Sequence, residues 1–260
     1  MNLNRLKQVL SIPSYFDEES RMIKYLTGVL ESKGYDHYVD TIGNIYVTKG
    51  ESSGYPCFVS HTDTVHHINE DLIVIENENS NLTGQCNKTG EPSGIGGDDK
   101  CGVYLCLEML DRLDTVKVAF FVGEEFGMIG SKQADPEFFK DVTYAIQFDS
   151  PCGNTMSLTL RGQYLFDKES TFGEIVSPIL LDGGITEWQH HPYTDAYQLI
   201  TKFDFPCLNI AAGYHKYHTV NEYVVPSEVE NSLNIAIKLV ESLGSDDYTR
   251  TKDHSVVNYY

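Results

Sequence analysis

Five segments of this 260-residue chain carry side chains that can bind a metal ion or move a proton. Four of them end or follow apolar stretches, at positions 60–63, 124–125, 149 and 213–218. The fifth, the Gly-Gly-Asp-Asp-Lys run at 96–100, opens a predicted helix. Histidines and carboxylates in such a set suit Zn²⁺, and Mn²⁺ or Co²⁺ also fit. The residue types therefore predict a divalent-metal site.

The spacing within two of these segments assigns different tasks to neighbouring residues. His61 and Asp63 lie two positions apart, so in an extended chain they face the same side. Asp63 can then accept a hydrogen bond from the ring nitrogen of His61 that does not bind metal. Glu124 and Glu125 are adjacent and cannot point alike, which favours Glu125 as a ligand and Glu124 as a base acting on water.

Each motif taken alone is more typical of a solvated loop or a charged helix face than of a site. Asp149 before Ser150-Pro151 fits a simple turn, and His215 and His218 fit structural roles. The motifs favour a site only as a set, because four of them follow separate apolar strands in sequence order and the fifth opens a helix.

The elements that must position these residues alternate along the chain. Apolar runs predict buried strands at 55–60, 116–122, 144–148 and 206–211. Predicted helices occupy 17–32, 102–113 and 194–202. Open α/β sheets gather their sites at the carboxyl ends of the strands, so this alternation predicts a layered α/β fold with the metal-binding groups at one edge.

The remaining segments complete this prediction. Two short strands flank a turn at Gly43, and the polar stretch 76–97 predicts a loop or hairpin. Ser227 and Glu230, behind Pro226, predict a capping box at the start of the last helix. One domain spanning 1–260 is expected, with a flexible tail from about 245.

Composition excludes several classes of protein. Acidic residues outnumber basic ones 38 to 19, which argues against a nucleic-acid-binding surface. No apolar run approaches the roughly 20 residues that a membrane-spanning helix needs. The first residues lack the apolar stretch and cleavage site of a signal peptide, so a cytoplasmic location and reduced thiols for the six scattered cysteines are expected.

The ordered motifs resemble the metallopeptidase clan that holds the M20, M28 and M42 families. The resemblance rests on HTDT (61–64), GGDDKCG (96–102), GEEFGMIGS (123–131), FDS (148–150) and HTVNE (218–222). The run LSIPSYFDEESRMIKYL (10–26) is also similar to the opening of M20 and M42 members. The resemblance implies a three-layer α/β fold of the phosphorylase/hydrolase-like zinc peptidase type, with a mixed, mostly parallel sheet flanked by helices.

The resemblance also implies a role for each matching residue in a site that binds two divalent ions, which would be zinc. Asp98 would bridge the two ions, and Glu124 would act as the general base. His61 and Asp149 would complete one ion's ligands, and Glu125 and His218 the other's, while Asp63 would orient His61. His218 is preferred over His215 because HTVNE places a glutamate, Glu222, four residues later in a supporting role.

The chain departs from M20 members in one respect. The interval between Asp149 and His218 is too short to hold a separate lid domain in addition to sheet strands, so a lidless domain is expected. Within it, residues 193–196 (YTDA) resemble a threonine–aspartate–alanine motif of M42 members.

The substrate stays open at this point. The resemblance favours hydrolysis of peptide or small amide bonds by an aminopeptidase-like exopeptidase. The alternatives are an N-acyl amino-acid deacylase or carboxypeptidase, with Arg161 as a contact for a carboxylate, and a non-catalytic metal-binding scaffold. Four residues could stabilise an oxyanion without one being preferred: Tyr193, Tyr214, His190 and His191. His66 and His67 are interpreted as surface residues.

Overall fold

The computed structural model describes residues 1–191 and 193–248. Residues 249–260, the larger part of the predicted flexible tail, lie outside the described residues. Before that point the chain is packed: the ring of Tyr248 contacts the rings of Tyr144 and Phe172. Within the described ranges, no helix combines the length and the apolar character that crossing a membrane requires.

The described residues form helices and strands in alternation. The helices are α1 (Leu3–Leu10), α2 (Ser20–Lys33), α3 (Gly97–Arg112), α4 (Ile129–Lys132), α5 (Pro136–Phe139), α6 (Thr171–Asp182), α7 (Asp195–Lys202) and α8 (Pro226–Leu243). The strands are β1 (Asp36–Val39), β2 (Ile45–Lys49), β3 (Tyr55–His61), β4 (Leu72–Glu76), β5 (Leu82–Cys86), β6 (Pro92–Ser93), β7 (Val116–Phe121), β8 (Val142–Ser150), β9 (Thr155–Leu160), β10 (Gln163–Tyr164), β11 (Glu187–His191), β12 (Cys207–Ala211), β13 (Tyr214–His215) and β14 (Tyr223–Val224).

The larger sheet has a parallel centre. Its order is β1-β2-β7-β3-β8-β12-β9-β10, and β11 pairs with β9. The four central strands, β7, β3, β8 and β12, run parallel to one another, and every residue in them is buried. Such continuous burial is expected where helices cover both faces of a sheet. The carboxyl ends of the four strands therefore meet at one edge.

Helices cover this parallel centre. α3 packs against β3, β7 and β8 and contacts α1 and α8, while α7 packs against β3, β8 and β12 and contacts α4. The predicted layered α/β architecture, with a mixed and mostly parallel sheet between helices, is confirmed.

A smaller sheet lies beside the larger one in the order β13-β14-β5-β4, with β6 paired to β5. β5 and β6 are antiparallel neighbours joined by residues 87–91, so the hairpin alternative predicted within 76–97 is correct. β4 also pairs antiparallel with β5. β14 comes from a distant part of the chain and pairs with β5. This pairing ties the segment that follows His218 to the hairpin that follows the HTDT motif.

The predicted capping box at the start of α8 is wrong. The helix begins at Pro226, its N-cap residue is Val225, and no side chain caps it. Ser227 therefore lies within the first turn. Proline fixes its own φ near the helical value and lacks the N–H that the first turn would leave unpaired, so it starts the helix two residues earlier than the serine pattern indicates. The sequence analysis also missed α1, which Asn2 caps by accepting a hydrogen bond from the backbone N–H of Arg5.

Candidate metal centre

The sheet edge brings together the five side chains proposed as metal ligands. His61 is the last residue of β3, Asp149 lies near the end of β8, and Asp98 is in the first turn of α3. Glu125 follows β7 and His218 follows β13. Potential ligand atoms form two groups, His61 with Asp98 and Asp149, and Asp98 with Glu125 and His218, and the atoms of each group lie within 4.8 Å of one another.

The Asp98 carboxylate lies between the two histidines. Its Oδ1 is 3.3 Å from Nε2 of His61, and its Oδ2 is 3.4 Å from Nε2 of His218. One carboxylate thus presents a different oxygen to each group of ligands. This is the arrangement that a bridging ligand between two ions requires.

The other side chains complete the two groups. Nε2 of His218 is 2.9 Å from Oε1 of Glu125, and Nε2 of His61 is 3.8 Å from Oδ1 of Asp149. Oε2 of Glu124 lies 4.0 Å from Nε2 of His61. Glu124 is therefore beside the first group, in reach of a molecule held there.

Two buried atoms between the proposed ligands lack a hydrogen-bond partner among the residues that the structure describes. Nε2 of His61 and Oδ1 of Asp98 are shielded from solvent, and neither makes a hydrogen bond. An unpaired buried polar atom costs about 1–3 kcal/mol. Two atoms bound tetrahedrally to one zinc ion lie roughly 3.3 Å apart, which matches their separation of 3.3 Å. The side chains present therefore fit a divalent metal ion.

The electrostatics of the centre also favour a bound cation. Burial, together with the charge of Asp98, raises the pKa of Asp149 to about 7. Burial also raises the pKa of Glu125, and raises that of Glu124 well above its usual value. Hydrogen bonds to Asp98 and Glu125 raise the pKa of His218 to about 10. The carboxylates together carry more negative charge than the neighbouring histidines can balance. A bound cation would relieve the repulsion between these carboxylates.

Asp63 connects His61 to the Glu124 segment. Nδ1 of His61 hydrogen-bonds the main-chain oxygen of Asp63 at 3.0 Å and lies 3.3 Å from Oδ1 of the same residue. The Asp63 carboxylate in turn accepts the backbone N–H groups of Glu124 and Glu125 at 2.9 and 3.1 Å. Asp63 therefore fixes the ring of His61 from the side opposite Asp98 and holds the turn that carries both glutamates.

Glu222 connects three of the loops that carry proposed ligands. Its buried carboxylate accepts the backbone N–H groups of Gly96 and Asp98, at 2.8 and 3.1 Å. It also lies 2.8 Å from Nε2 of His66. Glu222 therefore links the backbone of the Asp98 loop to His66. The contact of His66 was not predicted, because spacing alone did not distinguish it from a surface histidine.

The other residues considered from the sequence lie in different surroundings. His215 pairs with Glu228 at 2.6 Å, away from both ligand groups. Among the oxyanion candidates, Tyr214 contacts the centre, since its hydroxyl donates to Oδ1 of Asp149 at 3.3 Å. His190 contacts Thr159, and the side chain of His191 lies outside the described part of the chain. Arg161 lies over the rings of Tyr193 and Tyr197, each 5.5 Å away.

Two buried carboxylic acids near the centre were given no role from the sequence, although Asp195 lies in the YTDA segment. Oε1 of Glu19, in the turn before α2, accepts the backbone N–H of Gly123 at 2.9 Å and the hydroxyl of Thr62 at 3.4 Å. Asp195, at the start of α7, is fully buried and neither of its carboxylate oxygens has a hydrogen-bond partner. The proximity of Glu19 has no signal in local periodicity, because it depends on how α2 docks against the β7 turn.

Comparison with solved structures places this fold among peptidases. The chain superposes on a tripeptidase from Staphylococcus aureus with a TM-score of 0.76 and 15% identity, over 92% of this chain and 96% of that one. It also superposes on the aminopeptidase PepT from Bacillus cereus with a TM-score of 0.75 and 16% identity, over 93% and 97% of the two chains. The chain therefore has the fold of these peptidases.

A third match shows that the likeness extends to archaeal proteins. An aminopeptidase from Desulfurococcus kamchatkensis superposes with a TM-score of 0.67 and 16% identity, over 98% of each chain. No family model matches the sequence, and no curated protein sequence matches it significantly. At these identities the superpositions establish the fold, and the activity has to be argued from the metal centre.

Proposed function

We propose that this protein is a two-metal hydrolase that cleaves peptide or small amide bonds and acts as an aminopeptidase. One observation supports this proposal above the others: a single carboxylate, Asp98, faces two separate ligand groups, with Glu124 beside one of them. A structural zinc site is closed by four protein ligands. Two incomplete groups that share a carboxylate, with a spare acid nearby, are typical of a hydrolytic centre.

The proposed ligands divide between the two ions. His61 and Asp149 would hold one, Glu125 and His218 the other, and Asp98 both. Imidazole and carboxylate donors suit zinc best, and manganese or cobalt also fit. When bound, such ions polarise a scissile carbonyl and lower the pKa of water.

The proposed work of Glu124 is proton transfer. Glu124 is 8% exposed, and burial raises the pKa of its carboxyl group well above the usual value, which makes the carboxylate a stronger base. It would take a proton from the attacking water and pass it to the leaving amine. Asp63 would keep Glu124 in place, since it binds the backbone N–H of that residue.

We propose that residues 1–248 act as a single catalytic domain without a lid. The described part of the interval between Asp149 and His218 supplies β9, β10, α6, β11, α7, β12 and β13, most of them strands of the larger sheet or helices beside it. Substrate contacts would then come from the loops around the sheet edge. An open site of this kind favours short peptides or peptide ends.

Digestion of a mixed peptide library by the zinc-loaded protein tests the proposal. Half of the peptides have acetylated N-termini, and Glu124→Ala is assayed in parallel by mass spectrometry. Trimming of free N-termini alone, lost in the variant, is the expected result. Trimming from the carboxyl end, or release of acetyl groups, would instead identify a carboxypeptidase or deacylase. Absence of cleavage by protein with both ions bound would contradict peptidase activity and favour the scaffold alternative.

A further inference from the structure

Three buried side chains hold Asp149, and none of them is among the proposed ligands. Asn209, on β12, fixes the backbone: its Oδ1 accepts the N–H of Asp149 at 2.9 Å, and its Nδ2 donates to the carbonyl oxygen at 3.2 Å. The register between β8 and β12 shifts between Asn209 and Ala211. The side-chain amide therefore replaces the strand-to-strand bonds that the irregularity removes.

The other two side chains fix the carboxylate itself. Nε2 of Gln147 donates to Oδ2 of Asp149 at 3.2 Å, and the hydroxyl of Tyr214 donates to Oδ1 at 3.3 Å. Gln147 precedes Asp149 by two residues on β8, so both side chains lie on one face of the sheet. Gln147 is 1% exposed, which means that its amide has to find its partners within the protein.

The opposite end of the Gln147 amide is anchored on α7. Its Oε1 accepts the backbone N–H of Ala196 at 2.7 Å and the hydroxyl of Thr194, the N-cap residue of that helix. Gln147 thus joins the first turn of α7 to the Asp149 carboxylate. The YTDA segment has no assigned role in the proposed reaction, and it contacts the centre through this amide.

We propose that Gln147 is a positioning residue that fixes the Asp149 carboxylate for metal binding. This inference rests on the proposed function, because it requires Asp149 to be a ligand. A carboxylate offers about four lone-pair positions. Gln147 and Tyr214 occupy two of them, which leaves the side towards His61 for an ion.

The chemistry of the amide explains why glutamine suits this position. An amide donates at one end and accepts at the other, so it satisfies Asp149 and the N–H of Ala196 together. A carboxylate at 147 would repel Asp149, and an apolar side chain would leave both groups unpaired. Removing the hydrogen-bond partner of a metal ligand typically weakens metal binding by about 10–100-fold.

Metal titration of two single-site backgrounds tests the inference. The His218→Ala background should retain the ion held by His61 and Asp149, and the His61→Ala background the ion held by Glu125 and His218. Gln147→Met, which keeps the length but removes the hydrogen bonds, is added to each background, and zinc is titrated into the metal-free proteins by calorimetry. The expected result is a 10–100-fold loss of affinity in the His218→Ala background and none in the His61→Ala background.

Two further variants serve as a second test and as a control. Thr194→Val leaves Gln147 in place but removes one of its anchors, so a smaller loss at the same ion is expected. Thr143→Val removes a buried hydroxyl hydrogen bond at the far end of β8, to the carbonyl oxygen of Tyr55, and should change neither affinity. If circular dichroism shows that Gln147→Met does not fold, Thr194→Val decides the question.

The outcomes separate this inference from the proposed function. Unchanged affinity in the His218→Ala background, or equal losses in both backgrounds, would overturn the positioning role while leaving two-ion binding intact. Failure of the unmodified protein to bind two ions would overturn the proposed function first and the inference with it.

Discussion

The carboxylate of Glu222 accepts the backbone N–H of Asp98, the residue that faces both ligand groups, at a distance of 3.1 Å. Glu222 is 1% exposed and follows His218 by four residues, so it joins the loop of one proposed ligand to the backbone of another. Its other contacts, Gly96 N–H and His66, belong to the Asp98 loop and to the segment after His61. The Glu222 carboxylate thus fixes the positions of Asp98, Gly96 and His66 together.

Replacing Glu222 should weaken the binding of both metal ions. Glu222→Ala frees the Asp98 loop, and because Asp98 is shared, the affinities of both ions should fall by about 10–100-fold. Calorimetric titration of the metal-free protein measures this. Glu228→Ala is a matched control, because Glu228 forms a similar pair with His215 away from the centre. Equal behaviour of the two variants would contradict the role given to Glu222.

Removal of His218 should cost one ion. His218 contacts both Glu125 and Asp98, whereas His215 contacts Glu228. His218→Ala should therefore lower the metal content by about one ion per chain, since one ligand group loses its only histidine. Atomic absorption on dialysed protein measures the content, with His215→Ala as the control. A fall in metal content with His215→Ala and not with His218→Ala would assign the ligand role to His215 instead.

The sequence predicted the parts of this centre that depend on strand ends, and missed those that depend on packing. His61 and Asp149 follow from apolar runs, because the carboxyl ends of parallel strands meet at one edge. Gln147, by contrast, looks like any polar interruption of a buried strand. Its partners Thr194 and Ala196 come from a helix nearly fifty residues later, and no local periodicity encodes that contact.

The same division holds for the fold. The hairpin of β5 and β6 lies within the predicted range 76–97, but the pairing of β5 with β14 was not predicted, since that contact joins segments far apart in the sequence. The capping box at Ser227 was predicted wrongly, because the preceding proline starts the helix itself.

Glu19 should make the stability of the metal-free protein depend on pH. Burial, and then the negative charge of Asp63, raises its pKa from 4.5 to about 7. Between these two values the folded protein holds a proton that the unfolded chain has released, so stability falls as the pH rises through this window. The loss at neutral pH amounts to at most about 3 kcal/mol.

Glu19→Gln should remove this pH dependence, because an amide does not titrate. The substitution should keep the local structure, since the amide oxygen can still accept the N–H of Gly123 and the hydroxyl of Thr62. Urea unfolding from pH 4.5 to above 7 measures it, and the variant should gain stability relative to the unmodified protein as the pH rises. Glu18→Gln, at the neighbouring exposed position, serves as the control. A constant difference between Glu19→Gln and the unmodified protein across the range would rule out a raised pKa.

The central claim, that Glu124 is the base of a two-metal hydrolase, is tested most directly by Glu124→Gln. The substitution keeps the size of the side chain and leaves the five proposed ligands in place. Metal content and the rate of tripeptide hydrolysis are measured on the same preparations of both proteins. Two ions per chain are expected in each protein, together with a rate about 10²–10⁴-fold lower in the variant. Equal rates, or hydrolysis by protein that binds no metal, would contradict the central claim.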